Sequence, residues 1–211
     1  MDNLRRLEEI FAHFPGIGPR QARRFVYYLL AKSPASTKEF IQLIEEVKNT
    51  SRECEKCHKY FIVKDGAEKI KKLREKFICA ICSDPNRDHS TLMVVSRDFD
   101  FESVEKSGAY KGLYFILGGI VPILDKEPEK RIRLKSLLEH VSNSQEIKEI
   151  ILSLNTTPDG EHTESIVKDA IQKITSARSV KITVLGRGLS TGAELEYADQ
   201  ETIRNALKNR I

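Results

Sequence analysis

All four cysteines of the chain fall into two Cys-x-x-Cys pairs, Cys54 with Cys57 and Cys79 with Cys82. Each pair presents two thiolates from one tight turn, and Zn²⁺ prefers four such ligands in a tetrahedron at about 2.3 Å. Because the protein would supply all four ligands, no coordination position stays open for water or substrate. The spacing therefore predicts one structural zinc ion per chain, which stabilises the fold and takes no part in catalysis.

Two other arrangements of these cysteines are possible. They could form two disulfides, or they could be reduced thiols packed in a core. The first residues are polar and resemble no secretory segment, so we expect a reducing compartment in which disulfides are rare. His58 directly follows Cys57 and could replace one cysteine as a ligand, but we expect this side chain to be solvated.

A glycine-rich turn, Pro15-Gly-Ile-Gly-Pro19, lies between two stretches with helical periodicity. Its glycines lack a Cβ, so a phosphate group can approach the backbone, and the amides that begin the next helix can bind that phosphate. Arg20 and Arg24 are four residues apart and share a helix face, and Arg23 is adjacent. We predict a DNA-binding helix-hairpin-helix; the alternative is a hairpin that only packs or dimerises. The predicted DNA contacts are Gly16, Gly18, Arg20, Arg23 and Arg24.

Paired carboxylates follow one of the predicted strands. Asp159 and Glu161 could hold Mg²⁺ for phosphoryl chemistry. The alternative is that both are solvated and begin the next helix, where acidic side chains are favoured by the helix dipole. A metal cage needs a further acid from a neighbouring strand end, and Ser96 stands where that acid would be most useful. We therefore expect no active magnesium site.

The elements that must position these residues change in type along the chain. Apolar residues recur at helical spacing over residues 4–11, again after Pro19, and over Thr37–Val47. After the cysteines come continuous apolar runs, which are typical of buried parallel strands. These predicted strands are Thr91–Val95, Gly112–Leu117, Glu149–Leu154 and Val180–Leu185.

Helical patterns near residues 101–107, 130–141 and 163–175 separate the predicted strands, and a last helix is predicted over Gln200–Lys208. Strands that alternate with helices indicate a mostly parallel sheet covered on both faces. The predicted fold class is therefore α+β with several domains: a helical hairpin, a four-cysteine module, an α/β domain and a C-terminal segment.

Length and charge limit the classes of function. No apolar run in the 211 residues approaches the roughly 20 residues of a membrane span, so we expect a soluble, cytoplasmic protein without membrane contacts. The net charge of +4 permits nucleic-acid binding without requiring it. A basic segment between the cysteine pairs could be a solvated helix face or could bind nucleic acid. Its basic residues are Lys64, Lys69, Lys71, Lys72, Arg74 and Lys76.

Five motifs occur in a fixed order along the chain. They are Phe14-Pro-Gly-Ile-Gly-Pro-Arg-Gln-Ala-Arg-Arg24, Cys79-Ala-Ile-Cys82-Ser-Asp-Pro-Asn-Arg87-Asp88, Gly108-Ala-Tyr-Lys-Gly-Leu-Tyr-Phe-Ile-Leu-Gly-Gly119, Asp159-Gly-Glu-His-Thr163 and Arg187-Gly-Leu-Ser-Thr-Gly-Ala-Glu-Leu-Glu-Tyr-Ala-Asp199. In these motifs, and over essentially its whole length, the chain resembles the RecR family of bacterial recombination mediators.

The resemblance implies four parts. They are a helix-hairpin-helix domain at 1–52, a four-cysteine zinc finger with a charged insert at 53–88, a Toprim-like domain at 89–178 and a C-terminal segment at 179–211. The resemblance also implies rings, commonly tetramers, that encircle DNA near the nucleoid and act with RecO and RecF to load RecA on gapped DNA. In that family the basic residues after the hairpin face DNA, which by position are Arg20 and Arg24 here.

The chain departs from the family pattern at three places. A charged insert from about Phe61 to Phe77 separates the cysteine pairs, although loop closure costs rise only slowly with length. Ser96 replaces the glutamate expected of catalytic Toprim domains, and Asn155-Thr-Thr157 replaces the usual Asn-Pro-Thr. We therefore predict a non-enzymatic DNA-binding mediator. The alternatives are a magnesium-dependent Toprim nuclease or primase that uses Asp159 and Glu161, and an interaction scaffold without direct DNA contact.

Overall fold

The computed structural model describes residues 2–63, 77–125, 127, 130–192 and 194–209. These residues divide into two compact units. The first contains the described residues through Ser51 together with Ile62 and Val63, and the second contains Arg52–Phe61 and the described residues from Phe77 onward. Within the described ranges, no helix has the length and apolar character needed to cross a membrane. The basic segment over residues 64–76 lies outside the described residues, so its prediction stays a prediction.

The first unit is built from helices α1 (Asn3–Ala12), α2 (Pro19–Leu30) and α3 (Pro34–Thr50). α1 and α2 pack against each other, with the rings of Phe11 and Phe25 at a centroid distance of 5.8 Å. On α2, Ala22 and Val26 are buried. The helical N-terminus predicted from periodicity is therefore confirmed.

Capping residues decide where these helices begin. The Asp2 carboxylate accepts a hydrogen bond from the Leu4 amide at 3.3 Å, and the Ser33 hydroxyl accepts one from the Ser36 amide at 3.2 Å. Pro19 and Pro34 occupy the first turns of α2 and α3, where a missing amide hydrogen costs nothing. α3 begins three residues earlier than the predicted Thr37, because Ser33 and Pro34 start the helix before its first apolar side chain.

The cysteine-containing part has little regular structure. It consists of the short paired strands β1 (Ser51–Glu53) and β2 (Tyr60–Ile62) and the four-residue helix α4 (Ala80–Ser83). The first cysteine pair lies between the two strands, and the second flanks the start of α4. So small a group of elements buries too little apolar surface to fold alone, which makes a metal an effective source of stability.

A four-stranded parallel sheet forms the centre of the second unit, with the strand order β4-β3-β5-β6. In its register, Val94 pairs with Phe115 on one side and with Leu152 on the other. The predicted parallel sheet is confirmed, and each strand ends within one residue of its predicted end. The strands are β3 (Asp88–Val95), β4 (Gly112–Ile116), β5 (Glu149–Ser153) and β6 (Lys181–Val184).

Helices cover both faces of this sheet. α5 (Asp98–Ser107) follows β3, α6 (Leu134–Asn143) follows β4, and α7 (Pro158–Thr175) follows β5. Leu92 and Val94 of β3 belong to the buried cluster that contains α6 and α7 side chains, whereas Met93 and Val95 belong to the cluster with Phe101 of α5. Adjacent strand residues point to opposite faces, so both faces are apolar and the strands read as continuous apolar runs.

The C-terminal segment contains a short 3₁₀ turn (Leu195–Tyr197) and helix α8 (Gln200–Lys208), whose bounds equal the predicted ones. Arg187 connects this segment to the sheet domain. Its Nη1 lies 2.6 Å from Oε1 of Glu161 on α7 and 3.8 Å from Oε1 of Glu201 on α8. Its carbonyl oxygen also accepts a hydrogen bond from the Asn209 side chain at 2.8 Å.

Candidate metal centre and nucleic-acid interface

The four cysteine sulfurs meet in one cluster. All four Sγ atoms lie within 4.8 Å of one another, and each cysteine is at most 3% exposed. All four are free thiols. A tetrahedral metal with bonds of about 2.3 Å to sulfur has sulfur–sulfur edges of about 3.8 Å, and the Cys57 and Cys79 sulfurs are 3.6 Å apart. The geometry therefore fits a single thiolate-bound metal ion.

Backbone groups add to this fit. The Cys79 amide donates a hydrogen bond to the Cys54 sulfur at 3.3 Å, as expected for a sulfur that carries negative charge. The Cys54 carbonyl accepts the His58 amide at 2.9 Å, and the Cys54 amide donates to the Lys59 carbonyl at 2.8 Å. These bonds close the first Cys-x-x-Cys turn, so the backbone fixes the spacing of Cys54 and Cys57 within it.

The thiols also change one another's acidity. The hydrogen bond with Cys57 lowers the pKa of Cys54, whereas the hydrogen bond with Cys54 raises the pKa of Cys82. The pKa of Cys79 is also lowered and that of Cys57 is raised, so two of the four thiols ionise more readily than the other two, whose ionisation is opposed by the negative charge already present. A divalent cation in the centre removes this opposition, which couples metal binding to loss of the remaining protons.

His58 does not lie in solvent, so the prediction made for it is wrong. Its backbone has a φ of 63°, and its Nδ1 lies 2.5 Å from Oε1 of Glu53. Its ring packs edge-on against Phe115 at a centroid distance of 5.0 Å, and its side chain is only 18% exposed. Arg133 Nε lies 3.3 Å from the same Glu53 oxygen. Sequence spacing carries no signal for these contacts, because Glu53 and Arg133 are 80 positions apart.

The cysteine module is also joined to the sheet through its backbone. The Ile116 amide at the end of β4 donates a hydrogen bond to the Cys57 carbonyl at 2.9 Å. β4 is an edge strand, so this amide faces away from β3. The first cysteine turn therefore pairs with the free side of the sheet.

The predicted hairpin forms between α1 and α2. Gly16 has a φ of +75°, which a residue with a Cβ adopts only with strain, and Gly18 is the N-cap of α2. A Cβ added at either glycine would meet no described atom within 4 Å. The Ile17 amide closes the turn on the Phe14 carbonyl at 3.0 Å. The backbone at both glycines is therefore open to an approaching group.

The three arginines of α2 are all exposed, but they differ in their contacts. Arg23 Nε lies 3.3 Å from Oε1 of Glu8 on α1, so part of its charge is neutralised. Arg20 and Arg24 make no ion pair with any residue that the structure describes. The two arginines on the shared helix face therefore carry charge that no described residue neutralises.

The two carboxylates that could bind magnesium, Asp159 and Glu161, each make a hydrogen bond or ion pair within the protein. Asp159 Oδ1 accepts the Ile123 amide at 3.0 Å, and Glu161 pairs with Arg187. Both lie in the first turn of α7, as the helix-start alternative predicts. Ser96 is 1% exposed, and its hydroxyl has no hydrogen-bond partner among the described residues. Apart from the cysteines, the described ranges contain no three metal-ligating side chains within 4.8 Å of one another.

Comparison with known proteins places this architecture in one family. The family model described as "Toprim domain" matches residues 90–186, and the model described as "RecR, C-terminal" matches residues 188–211.

Full-length relatives agree with these matches. The "Recombination protein RecR" of Bifidobacterium adolescentis is 36% identical over 208 residues, covering 98% of this chain and 94% of the relative. Proteins of the same name are 33% identical in Lactobacillus helveticus, covering 97% of this chain and 94% of the relative, and 34% identical in Lactococcus lactis, covering 99% and 96%. The chain belongs to the RecR family of recombination proteins.

Proposed function

We propose that this protein is a non-enzymatic mediator of recombinational DNA repair that binds DNA through α2 and the glycine turn before it. The observation that carries the proposal is the pair Arg20 and Arg24, which are exposed, unpaired within the described chain, and adjacent to an open backbone at Gly16 and Gly18. Guanidinium groups beside the N-terminus of a helix bind phosphates without reading base sequence. Family membership supports the role in recombination.

In this proposal several copies form a ring, most simply a tetramer, around gapped DNA in the bacterial cytoplasm at the nucleoid. The ring works with RecO-like and RecF-like proteins to promote RecA loading. A net charge of +4 per chain is small for a DNA-binding protein. Several α2 surfaces that face one DNA molecule compensate for this, because each bound subunit raises the effective concentration of the next.

We also propose that the metal in the cysteine cluster is Zn²⁺, one per chain. Four thiolates in a closed tetrahedral site match the preference of zinc, and a buried site with four protein ligands leaves no place for substrate. The ion would therefore stabilise the fold around Cys54 and Cys79 without activating water.

Removal of both unpaired arginines tests the DNA surface. For Arg20→Ala combined with Arg24→Ala, we expect affinity for a gapped oligonucleotide to fall about tenfold or more at physiological salt, because two phosphate contacts per subunit are lost. The dependence of log K on log salt should also flatten by about 2 per engaged subunit. Fluorescence anisotropy at several salt concentrations, with the purified protein alone, measures both quantities.

A charge-matched control is Lys168→Ala with Lys173→Ala, which removes two exposed positive charges from α7. This variant should keep the affinity and salt slope of the unmodified chain. If the arginine variant behaves like the lysine variant, α2 is not the DNA surface. If the unmodified protein binds no DNA without a partner, the scaffold alternative is correct.

The non-enzymatic assignment has its own test. With labelled single- and double-stranded DNA and Mg²⁺, we expect neither cleavage nor synthesis, because Asp159 and Glu161 are held by Ile123 and Arg187 and Ser96 offers no carboxylate. Product formation that disappears in Asp159→Asn would show a Toprim enzyme and overturn the assignment.

A further inference from the structure

The exposed face of α2 carries aromatic rings as well as charge. Tyr27 is 57% exposed and Tyr28 is 59% exposed, although the same helix buries Ala22 and Val26. An open groove of about 630 Å³ runs along this face. Its lining residues are Pro19, Arg20, Arg23, Arg24, Tyr27 and Tyr28. Two large rings left in solvent beside three guanidinium groups are not explained by packing of the first unit.

Helix geometry puts Tyr27 among the arginines. At 3.6 residues per turn, Arg23, Tyr27, Arg20 and Arg24 follow one another around the axis within an arc of about 100°. Arg20 and Arg24 are separated by about 6 Å along the axis, and Tyr27 lies about 4.5 Å beyond Arg24. A strand whose phosphates contact the two arginines can therefore bring a neighbouring base to the Tyr27 ring.

The two tyrosines differ in whether the faces of their rings are free to contact a ligand. The Lys32 ammonium lies 4.5 Å from the centre of the Tyr28 ring. Tyr28 also lines a second groove, which is apolar and includes Phe11 and Phe25. Tyr27 has no cation and no aromatic ring against it among the described residues. Its ring is thus the one with faces free to receive a ligand.

We propose that Tyr27 stacks on an unpaired base while Arg20 and Arg24 neutralise the flanking phosphates, so that α2 prefers single-stranded DNA to duplex. The inference rests on the proposed function of α2 as a DNA surface. Every base has a π-face, so stacking on tyrosine adds affinity without sequence preference. Bases in a duplex are already stacked on their neighbours, and they gain nothing from the ring. Phosphate contacts are common to both forms of DNA, which leaves Tyr27 as the discriminating residue.

This proposal is tested with Tyr27→Ala, Tyr27→Phe and the control Tyr60→Ala. For each variant we measure the affinity for a 30-nucleotide dT strand and for a duplex of equal length. Tyr60 is 56% exposed and lies on β2, so its replacement matches Tyr27 in side chain and exposure. Tyr27→Ala should lower affinity for the single strand about tenfold, change affinity for the duplex less than twofold, and leave thermal unfolding unchanged. Tyr27→Phe should restore the single-strand affinity, because it retains the ring.

A 2-aminopurine placed in the dT strand provides a direct readout, since its fluorescence is quenched on stacking. We expect quenching with the unmodified protein and with Tyr27→Phe, but not with Tyr27→Ala. If Tyr27→Ala keeps single-strand affinity while the Arg20/Arg24 double variant loses it, the stacking proposal fails and the proposed function stands. Equal losses for strand and duplex also overturn stacking. If the arginine variant loses no affinity for either DNA, the proposed function fails.

Discussion

Replacing Cys79 by serine is expected to abolish metal binding and to unfold the segment around the cysteine cluster. Four thiolate ligands contribute about 10 to 16 kcal/mol of binding free energy in small zinc domains, and a hydroxyl is a poor substitute for one of them. The remaining elements, β1, β2 and α4, have too few residues to hold this segment alone. Zinc content should fall from about one ion per chain to almost none.

Metal analysis after exhaustive dialysis measures the zinc content, and limited proteolysis reports the loss of structure. Cleavage should be gained close to Cys54 and Cys79 while the sheet domain stays resistant. Lys56→Ala is the matched control, because Lys56 lies within the first cysteine pair and is exposed. This control should keep its zinc. A Cys79→Ser protein with a full complement of zinc would show that the cluster is not the metal site.

The second large effect is expected for Gly160→Ala. Gly160 lies in the first turn of α7, between Asp159 and Glu161, and its amide donates to the Thr157 hydroxyl at 3.2 Å. An added Cβ would overlap the carbonyl oxygen of Asn155 and lie 2.8 Å from its carbonyl carbon. Backbone atoms cannot rotate away, so either the loop or the start of α7 must shift. We expect the free energy of unfolding to fall by about 2 to 3 kcal/mol.

Urea unfolding followed by circular dichroism gives this free energy for Gly160→Ala and for the control Gly186→Ala. Gly186 is exposed, and an added Cβ there meets no described atom within 4 Å. The control should be neutral or slightly stabilising, since alanine restricts the unfolded chain. Equal stability of the two variants would mean that the 155–160 loop is not packed as described.

Structural features are predicted best from the sequence where residue types close together in the chain determine them. Two Cys-x-x-Cys pairs leave few alternatives to a shared metal, and the sulfurs do form one cluster. The apolar runs identify all four strands of the described sheet, because strand residues that pack under helices on both faces are mostly apolar. Element starts are predicted less well: β3 begins at Asp88, three residues before the predicted Thr91, in a stretch where the pairing with β4 shifts register.

Contacts between distant residues were not predictable from one sequence. The Glu53 carboxylate that holds His58 and Arg133 depends on how the cysteine module packs on the sheet. Likewise, periodicity predicts a helix after the glycine turn, with Pro19 near its start, but it does not show that Tyr27 stays in solvent. Burial of Val26 and exposure of Tyr27 are set by the packing of α1 on α2, which helical spacing alone leaves undetermined.

The hydrogen bond from the Ile116 amide to the Cys57 carbonyl keeps the first cysteine turn on the outer side of β4. β4 is an edge strand whose outer side is covered by this turn, and sheet edges recruit strands from other molecules when nothing covers them. Oxidative loss of the metal would release the first cysteine turn and uncover an apolar edge strand, which is buried along its whole length. Damage to the thiols would therefore lead to self-association, so aggregation is the expected signature of oxidative stress on this protein.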